Sequence, residues 1–347
     1  MDPISQGALG AVTAASAAGR ENVRKATLVG WVAGMLPDAD VFIRSAADPL
    51  LTIQYHRHFT HSFLFVPVGA LVCAVVFWIL TRRWWKLSFG RLYLFSFLGY
   101  ATAGLLDACT SYGTQLWWPF SDERVAWHVI SIVDPIFTGM MLILIVGGLI
   151  WRRAVWMRVA VVFVICYIGL GFVQRERTEA LQLALAAERG HEGIERATVK
   201  PTIGNLVLWR SIYEYGEEYW VDGIRTGVFG KPSIYEGVQV PVLRLEDLQA
   251  RVPEESVLWG DLERFDHFSD GHLMWHPDHE GVLGDLRYGV LPQSVKPLWG
   301  IRVDWEAVDE HVPFEGFRDV GEVERGDLLR MLWGEELTWR RGDAEAE

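Results

Sequence analysis

The chain has 347 residues, half of them hydrophobic, with 17 tryptophans, three cysteines and a net charge of −12 at pH 7. A mean hydropathy of +0.15 beside that acidity indicates an apolar membrane part joined to an acidic soluble part, and the length leaves room for two cores. The acidic balance excludes nucleic acid as an expected partner, and Cys73, Cys109 and Cys166 all lie in apolar runs, which excludes a disulfide framework in the soluble half.

Met1-Asp2-Pro3 carries no basic n-region, so no cleaved signal peptide is read. Ile4 to Gly19 are small and mostly apolar, which suits a tightly packed helix better than a lipid-facing one. Arg20, Arg24 and Lys25 follow. Residues 26–36 read as a second short helix, with Gly30 and Gly34 in GxxxG spacing, ending at Pro37-Asp38-Ala39-Asp40. Both fall below the roughly 20 residues that a full span needs. Four better spans follow: Ser62–Leu80, Leu92–Cys109, Pro135–Trp151 and Val155–Val173. The basic clusters at 20–25, 82–91 and 152–158 then fall on one side, which the positive-inside rule makes cytoplasmic. Residues 38–61, 107–134 and everything beyond 174 would face the other way.

After Val173 the pattern changes. Gln174–Gly190 reads as a juxtamembrane helix with an apolar and a charged side. From about Ala197 the chain is rich in Val, Ile, Trp and Tyr in short runs broken by Gly and Pro, as in Asn205–Tyr213, Tyr219–Gly223, Val238–Leu243 and Leu298–Asp304. This predicts a β-rich soluble domain. The expected fold is therefore a membrane α-helical bundle of about four full spans plus two short N-terminal helices, followed by a β-rich α+β soluble domain. The expected boundaries are 1–174 for the bundle, 175–196 for the linker helix, 197–340 for the soluble domain and 341–347 for a charged, frayed tail.

The chemistry concentrates in Tyr55-His56-Arg57-His58-Phe59-Thr60-His61-Ser62. Three imidazoles at the edge of an apolar run need a cavity or a partner. They form either a metal site or a polar anchor patch at headgroup depth. The same topology brings Asp38, Asp40, Asp107, Thr110, His128 and Asp134 to that face. Carboxylates and imidazoles together are the ligands of catalytic zinc, manganese or iron. Each also has a structural reading: Asp38 and Asp40 as a helix stop, Asp107 and Thr110 as a polar helix end, Asp134 as an N-cap before Pro135. Arg57 has the fork geometry to hold a carboxylate or phosphate. His267, His272, His276 and His279, with Asp270 and Asp278, read as a polar surface loop, although His276-Pro277-Asp278-His279 has the look of a ligand pair.

Leu36-Pro37-Asp38-Ala39-Asp40, His56-Arg57-x-Phe59-Thr60-His61-Ser62, and Gly99-Tyr100 through Asp107-x-x-Thr110-x-x-Gly113 to Trp118-Pro119-Phe120 occur in order. Over roughly residues 1–175 they resemble the bacterial family of inner-membrane-associated, metal-dependent hydrolases linked to LexA. The resemblance implies that Asp38, Asp40, His56, His61 and Asp107 belong to the metal or catalytic site, with Thr60, Ser62 and Thr110 behind them. The chain departs from the family pattern at Ser5-Gln6, where a Thr-His pair is usual, at Ala103, where a His is usual, and at His58, where a glycine is usual. Gln6, His58 and His128 stand as substitutes, and one metal becomes more plausible than two.

The leading expectation is a multi-pass inner-membrane protein with a periplasmic C-terminal domain. It would be a metal-dependent hydrolase of a lipid or lipid-linked (phospho)ester at the periplasmic membrane face. Zinc is the first choice of cofactor, with manganese or magnesium as alternatives. Asp38, Asp40 and Arg57 would be catalytic, and His56, His58, His61, Asp38, Asp40 and Asp107 would be metal ligands. The alternative is a non-enzymatic membrane protein with a structural metal and a partner-binding periplasmic domain, acting in an envelope or DNA-damage response. Transport is weaker, because the polar residues gather at one end rather than at the midplane. The expected partners are the lipid bilayer and the lipid substrate, and the sequence leaves the oligomeric state open.

Overall fold

A computed structural model of the chain describes residues 1–228, 231–319 and 321–337. The tail expected at 341–347 lies outside them. Two compact units are present: residues 1–45, 51–173 and 203–205 form a helical unit, and residues 46–50, 174–202 and 206–347 form a β-rich unit.

The helical unit opens with α1 (Pro3–Ser16), capped by the Asp2 carboxylate, which accepts from Ser5 N, with Pro3 at the first turn. α2 (Val23–Met35) packs on α1 where glycines replace side chains. A Cβ on Gly10 would stand 2.3 Å from Gly30 O, and one on Gly99 would stand 2.6 Å from the same oxygen. Only hydrogen fits there, so α1, α2 and α5 (Phe89–Ala108) meet backbone to backbone. A 3-10 turn, Leu36–Phe42, continues α2 and carries Asp38 and Asp40. Then come the one-turn α3 (Leu51–Tyr55), a second 3-10 turn (Phe59–His61) and α4 (Val66–Thr81). α6 (Pro135–Trp151) starts on Asp134, whose side chain accepts from Ile136 N and Phe137 N. Its C-cap is Arg152, in the left-handed conformation at φ 51°.

The expectation of four membrane spans is corrected here. Among the described residues one helix, α7 (Ala154–Glu188, 35 residues), is by itself long and apolar enough to cross a membrane. α6 stops at 17 residues and α4 at 16. The run read as a span from Ser62 opens in a turn, with α4 starting only at Val66, and α4 passes as a span only when joined to the preceding segment Leu51–His61, which it meets at a bend of 85°. α5 has the length, but Arg91, Tyr93, Ser96, Tyr100, Thr102 and Asp107 interrupt its apolar sequence. The stretch from Gln174 expected as a juxtamembrane helix is helical to Glu188, but as the continuation of α7, which runs unbroken through residue 174.

The second unit is β-rich. β1 (Arg196–Pro201), β2 (Leu208–Tyr215), β3 (Glu218–Arg225) and β4 (Ser233–Tyr235) lie in that order, and β5 (Gln239–Pro241) also pairs with β3. All these pairs are antiparallel. The β2–β3 hairpin closes with Tyr215 opposite Glu218 and Gly216 at φ 63°, a conformation that costs glycine little. Short helices α8 (Glu246–Gln249) and α9 (Val257–Ser269) lead to a second antiparallel sheet. Its order is β6 (Leu273–Trp275), β7 (Val282–Asp285), β8 (Trp299–Arg302) and β9 (Phe314–Gly316). α10 (Glu322–Trp333) follows. Ile212, Tyr219 and Val221 of the first sheet pack with Met274 and Leu286 into one buried cluster.

Candidate metal centre

Asp40 organises the site. Its Oδ2 accepts from Arg57 N (2.9 Å) and Thr60 Oγ1 (2.8 Å), and His61 Nδ1 lies 3.2 Å away. His56 Nδ1 lies 2.9 Å from Oδ1. Arg57 takes the left-handed backbone, φ 63°, that turns its amide onto this carboxylate. Burial works against the charged form of Asp40, but the hydrogen bonds from His56 and His61 outweigh it and hold the carboxyl well below the usual range.

With His61 Nδ1 directed at Asp40, its Nε2 is the free end of the imidazole. It lies 3.3 Å from Asp38 Oδ1 and 3.2 Å from Asp107 Oδ2, and it makes no hydrogen bond. His61 and Asp107 are buried and Asp38 is half-buried. With a neutral imidazole, three electron-rich atoms would face one another in a closed space, an arrangement that either a proton on Nε2, paired with the two carboxylates, or a bound cation relieves. A carboxylate behind the imidazole, as Asp40 is here, is the usual support of a metal-bound histidine. Metal–donor bonds of about 2.1 Å put tetrahedral donors about 3.4 Å apart and octahedral donors about 3.0 Å apart, and the observed spacings fall in that window. Gln6 Nε2 completes the ring, 3.1 Å from Asp107 Oδ2 and 3.3 Å from Asp38 Oδ1, while Gln6 Oε1 has no partner. Half a turn of the amide puts that oxygen among the donors. A second overlapping group, Asp38, Asp40 and His56, shares Asp38 with the first.

The structure thus brings Asp38, Asp40, His56, His61 and Asp107 together. His58 stands apart, its ring against Tyr55, Phe59 and Trp118. Arg57 turns inward: its Nε is 3.2 Å from Asp107 Oδ2 and its Nη1 donates to Thr110 Oγ1 at 2.8 Å. Asp134 serves as an N-cap and also accepts from Tyr167 (2.7 Å). The Met1 amino group pairs with Asp107, a contact that no sequence motif announces. Nor did the sequence point to Asp48, Asp261 and His311, which cluster in the β-rich unit. Arg264 Nη1 bridges the two carboxylates there, at 3.1 and 2.8 Å. Among the histidines expected on a surface loop, His272 and His276 are buried, and the His276 and His279 rings flank Phe317.

The hydrolase expectation is corrected by this geometry. A catalytic metal keeps an open position for water or substrate, but Asp107 is closed in by Met1, Gln6, Arg57 and His61. Asp40, cast as a general base, has both oxygens engaged, and its depressed pKa makes it a weak proton acceptor. Arg57, 3% exposed, faces the interior rather than a substrate. A carboxylate-rich donor set without thiolate does not single out zinc. With one helix qualifying by itself among the described residues, the multi-pass topology and the periplasmic placement built on it lose their basis.

Comparison with known proteins gives a family match. A family model described as "YdjM inner membrane protein" matches residues 1–178. The chain is similar to "Inner membrane protein YbcI" of Escherichia coli (strain K12), 36% identical over 107 residues. That match covers 30% of this chain and spans 60% of the relative's length. No solved structure matches. The matched description speaks of an inner membrane protein; hydrolase activity, metal dependence and LexA linkage rest on the motif resemblance alone.

Proposed function

Because the chain belongs to the YdjM inner membrane protein family, we propose that it is a non-enzymatic, membrane-associated protein whose buried Asp–His cluster holds one structural divalent cation. The β-rich unit is then its partner-binding module. The observation that carries this reading is the convergence of His61 Nε2, 3.2 to 3.3 Å from two carboxylate oxygens, with Asp38 and Asp107 as one group of potential ligand atoms. His61 Nε2, Asp38, Asp107 and the Gln6 oxygen are the proposed donors. The ion would tie the start of α1, the 3-10 turn after α2, the histidine loop and the end of α5 into one knot. An ion that binds only the folded chain stabilises it by an amount that grows with the logarithm of its concentration above Kd.

The test is metal analysis of the full chain purified in detergent, with thermal unfolding before and after chelation. About one divalent ion per chain is expected, with a midpoint that falls on chelation and recovers on re-addition. His61→Ala and Asp107→Ala should lose the ion. Metal-free wild type whose midpoint ignores added cations would overturn the proposal, as would a His61→Ala variant with its full complement.

A further inference from the structure

Three basic loops converge at the end of the helical unit remote from the Asp–His cluster. Arg24 donates from Nε and Nη2 to Leu149 O (3.2 and 3.1 Å), which fastens the first turn of α2, just after the α1–α2 loop, to the end of α6. Arg158 Nε donates to Ser16 O at 3.1 Å, which adds the start of α7. α5 is oriented by two contacts: Asp107 meets Met1 at one end, and Gly99 meets Gly30 midway. Its first residue, and the 82–91 loop before it, therefore point toward the start of α2. Twenty helical residues set the two ends of α5 about 30 Å apart.

The resulting surface is strongly cationic. Arg20, Arg82, Arg83, Arg91, Arg152 and Arg153 are all exposed, and Glu21 is the one acidic residue in segments 16–25, 82–91 and 149–158. Trp84 and Trp151 stand out from it, 77% and 54% exposed. A large apolar side chain next to arginines, uncovered by the protein, suits the boundary between headgroups and acyl chains. α7, the helix that qualifies as a span, begins at Ala154 within this surface. Its first turn must lie at headgroup level if it crosses the bilayer, and the neighbouring loops share that level.

We propose that this basic, tryptophan-bearing end binds the headgroups of anionic phospholipids. The proposal is independent of the metal reading, because it concerns the opposite end of the unit. Each Lys or Arg near an anionic surface strengthens association about fivefold, so three removed together weaken it by about a hundredfold at low salt. Screening collapses the difference at high salt.

The full chain in neutral detergent is titrated with phosphatidylglycerol or phosphatidylcholine in mixed micelles, and retained lipid is counted by native mass spectrometry. Wild type should retain phosphatidylglycerol at concentrations where phosphatidylcholine is not held. The Arg82→Gln/Arg83→Gln/Lys86→Gln variant should lose most of that preference. Lys231→Gln/Arg325→Gln/Arg330→Gln, which removes equal charge from exposed positions of the other unit, should keep it. Equal retention of the two lipids, or the same loss from both triple variants, would overturn the proposal. So would displacement of phosphatidylglycerol by equimolar inorganic phosphate, which would reveal a site for soluble anions.

Discussion

Gly30→Ala tests whether the helical unit is built on backbone contact. The added methyl would stand 2.3 Å from Gly10 O and 2.5 Å from Ala14 Cβ, neither of which belongs to a flexible side chain. Ordinary contacts there need more than 3.4 Å, so α1 and α2 must separate by about 1 Å. Overpacking of this kind costs about 1–3 kcal/mol, and the backbone position of both obstacles places it at the upper end. Against this, alanine in a helix interior gains about 1 kcal/mol over glycine. The net expectation is a loss of about 2 kcal/mol, a fall in the unfolding midpoint of roughly 4–8 °C. Gly139→Ala in α6 is the control, because a Cβ there meets nothing within 4 Å; it keeps the propensity gain and should be neutral or stabilising. Both variants are scanned in the same detergent by fluorescence and by circular dichroism at 222 nm. If Gly30→Ala melts at or above wild type while Gly139→Ala behaves as stated, the helices are not in backbone contact and the packing argument fails.

Other consequences are as direct. Burial, and then the nearby charges of Arg196 and Arg287, push the His272 imidazole down to about 3. Its unfolded pKa is near 6.5, so between pH 6.5 and about 3 the unfolded chain binds more protons. Stability from this group is complete above pH 6.5 and declines as pH falls through that window; His272→Gln should flatten the slope measured by urea unfolding between pH 7 and 4.5, and an unchanged slope would count against it. Asp285→Ala strips the buried Arg287 of its paired carboxylate (2.9 Å), an uncompensated charge costing about 3–5 kcal/mol and measurable as a lower urea midpoint. Trp209→Ala empties a fully buried site in β2, with an expected loss of about 3–5 kcal/mol in the same assay.

Much of the candidate site was legible because its residues stand in short motifs: Asp38 and Asp40 after Pro37, and three imidazoles in six residues. The β-rich half was legible in its Trp, Tyr, Val and Ile runs, several of which became strands. Span counting failed because hydropathy adds residues across backbone breaks. The run from Ser62 spends its first residues in the turn before α4, whose helix starts at Val66 with Pro67 in its first turn, and α5 spends its length on Tyr100, Thr102 and Asp107, whose purpose is contact inside the unit. Tyr100, for example, donates to Thr60 O at 2.9 Å. The closure of the site was illegible for another reason. The sequence offers Arg57 a carboxylate or a phosphate to hold; that the partner is the buried Asp107, reached from a left-handed backbone, shows in no one-dimensional pattern. Asp48, Asp261 and His311 meet across more than 200 residues of chain, with no local spacing to betray them.

The wrapping of the histidine loop around Asp40 has a consequence for kinetics and selectivity. Because one carboxylate already pins the amide of residue 57, the hydroxyl of residue 60 and two imidazoles, the chain surrenders its freedom there during folding, not upon encounter with an ion. A cation entering the proposed site would meet His61 already oriented by Asp40, while the Gln6 amide would still have to turn to offer its oxygen. Selection among ions would then favour those whose radius and hydration suit the donors already placed.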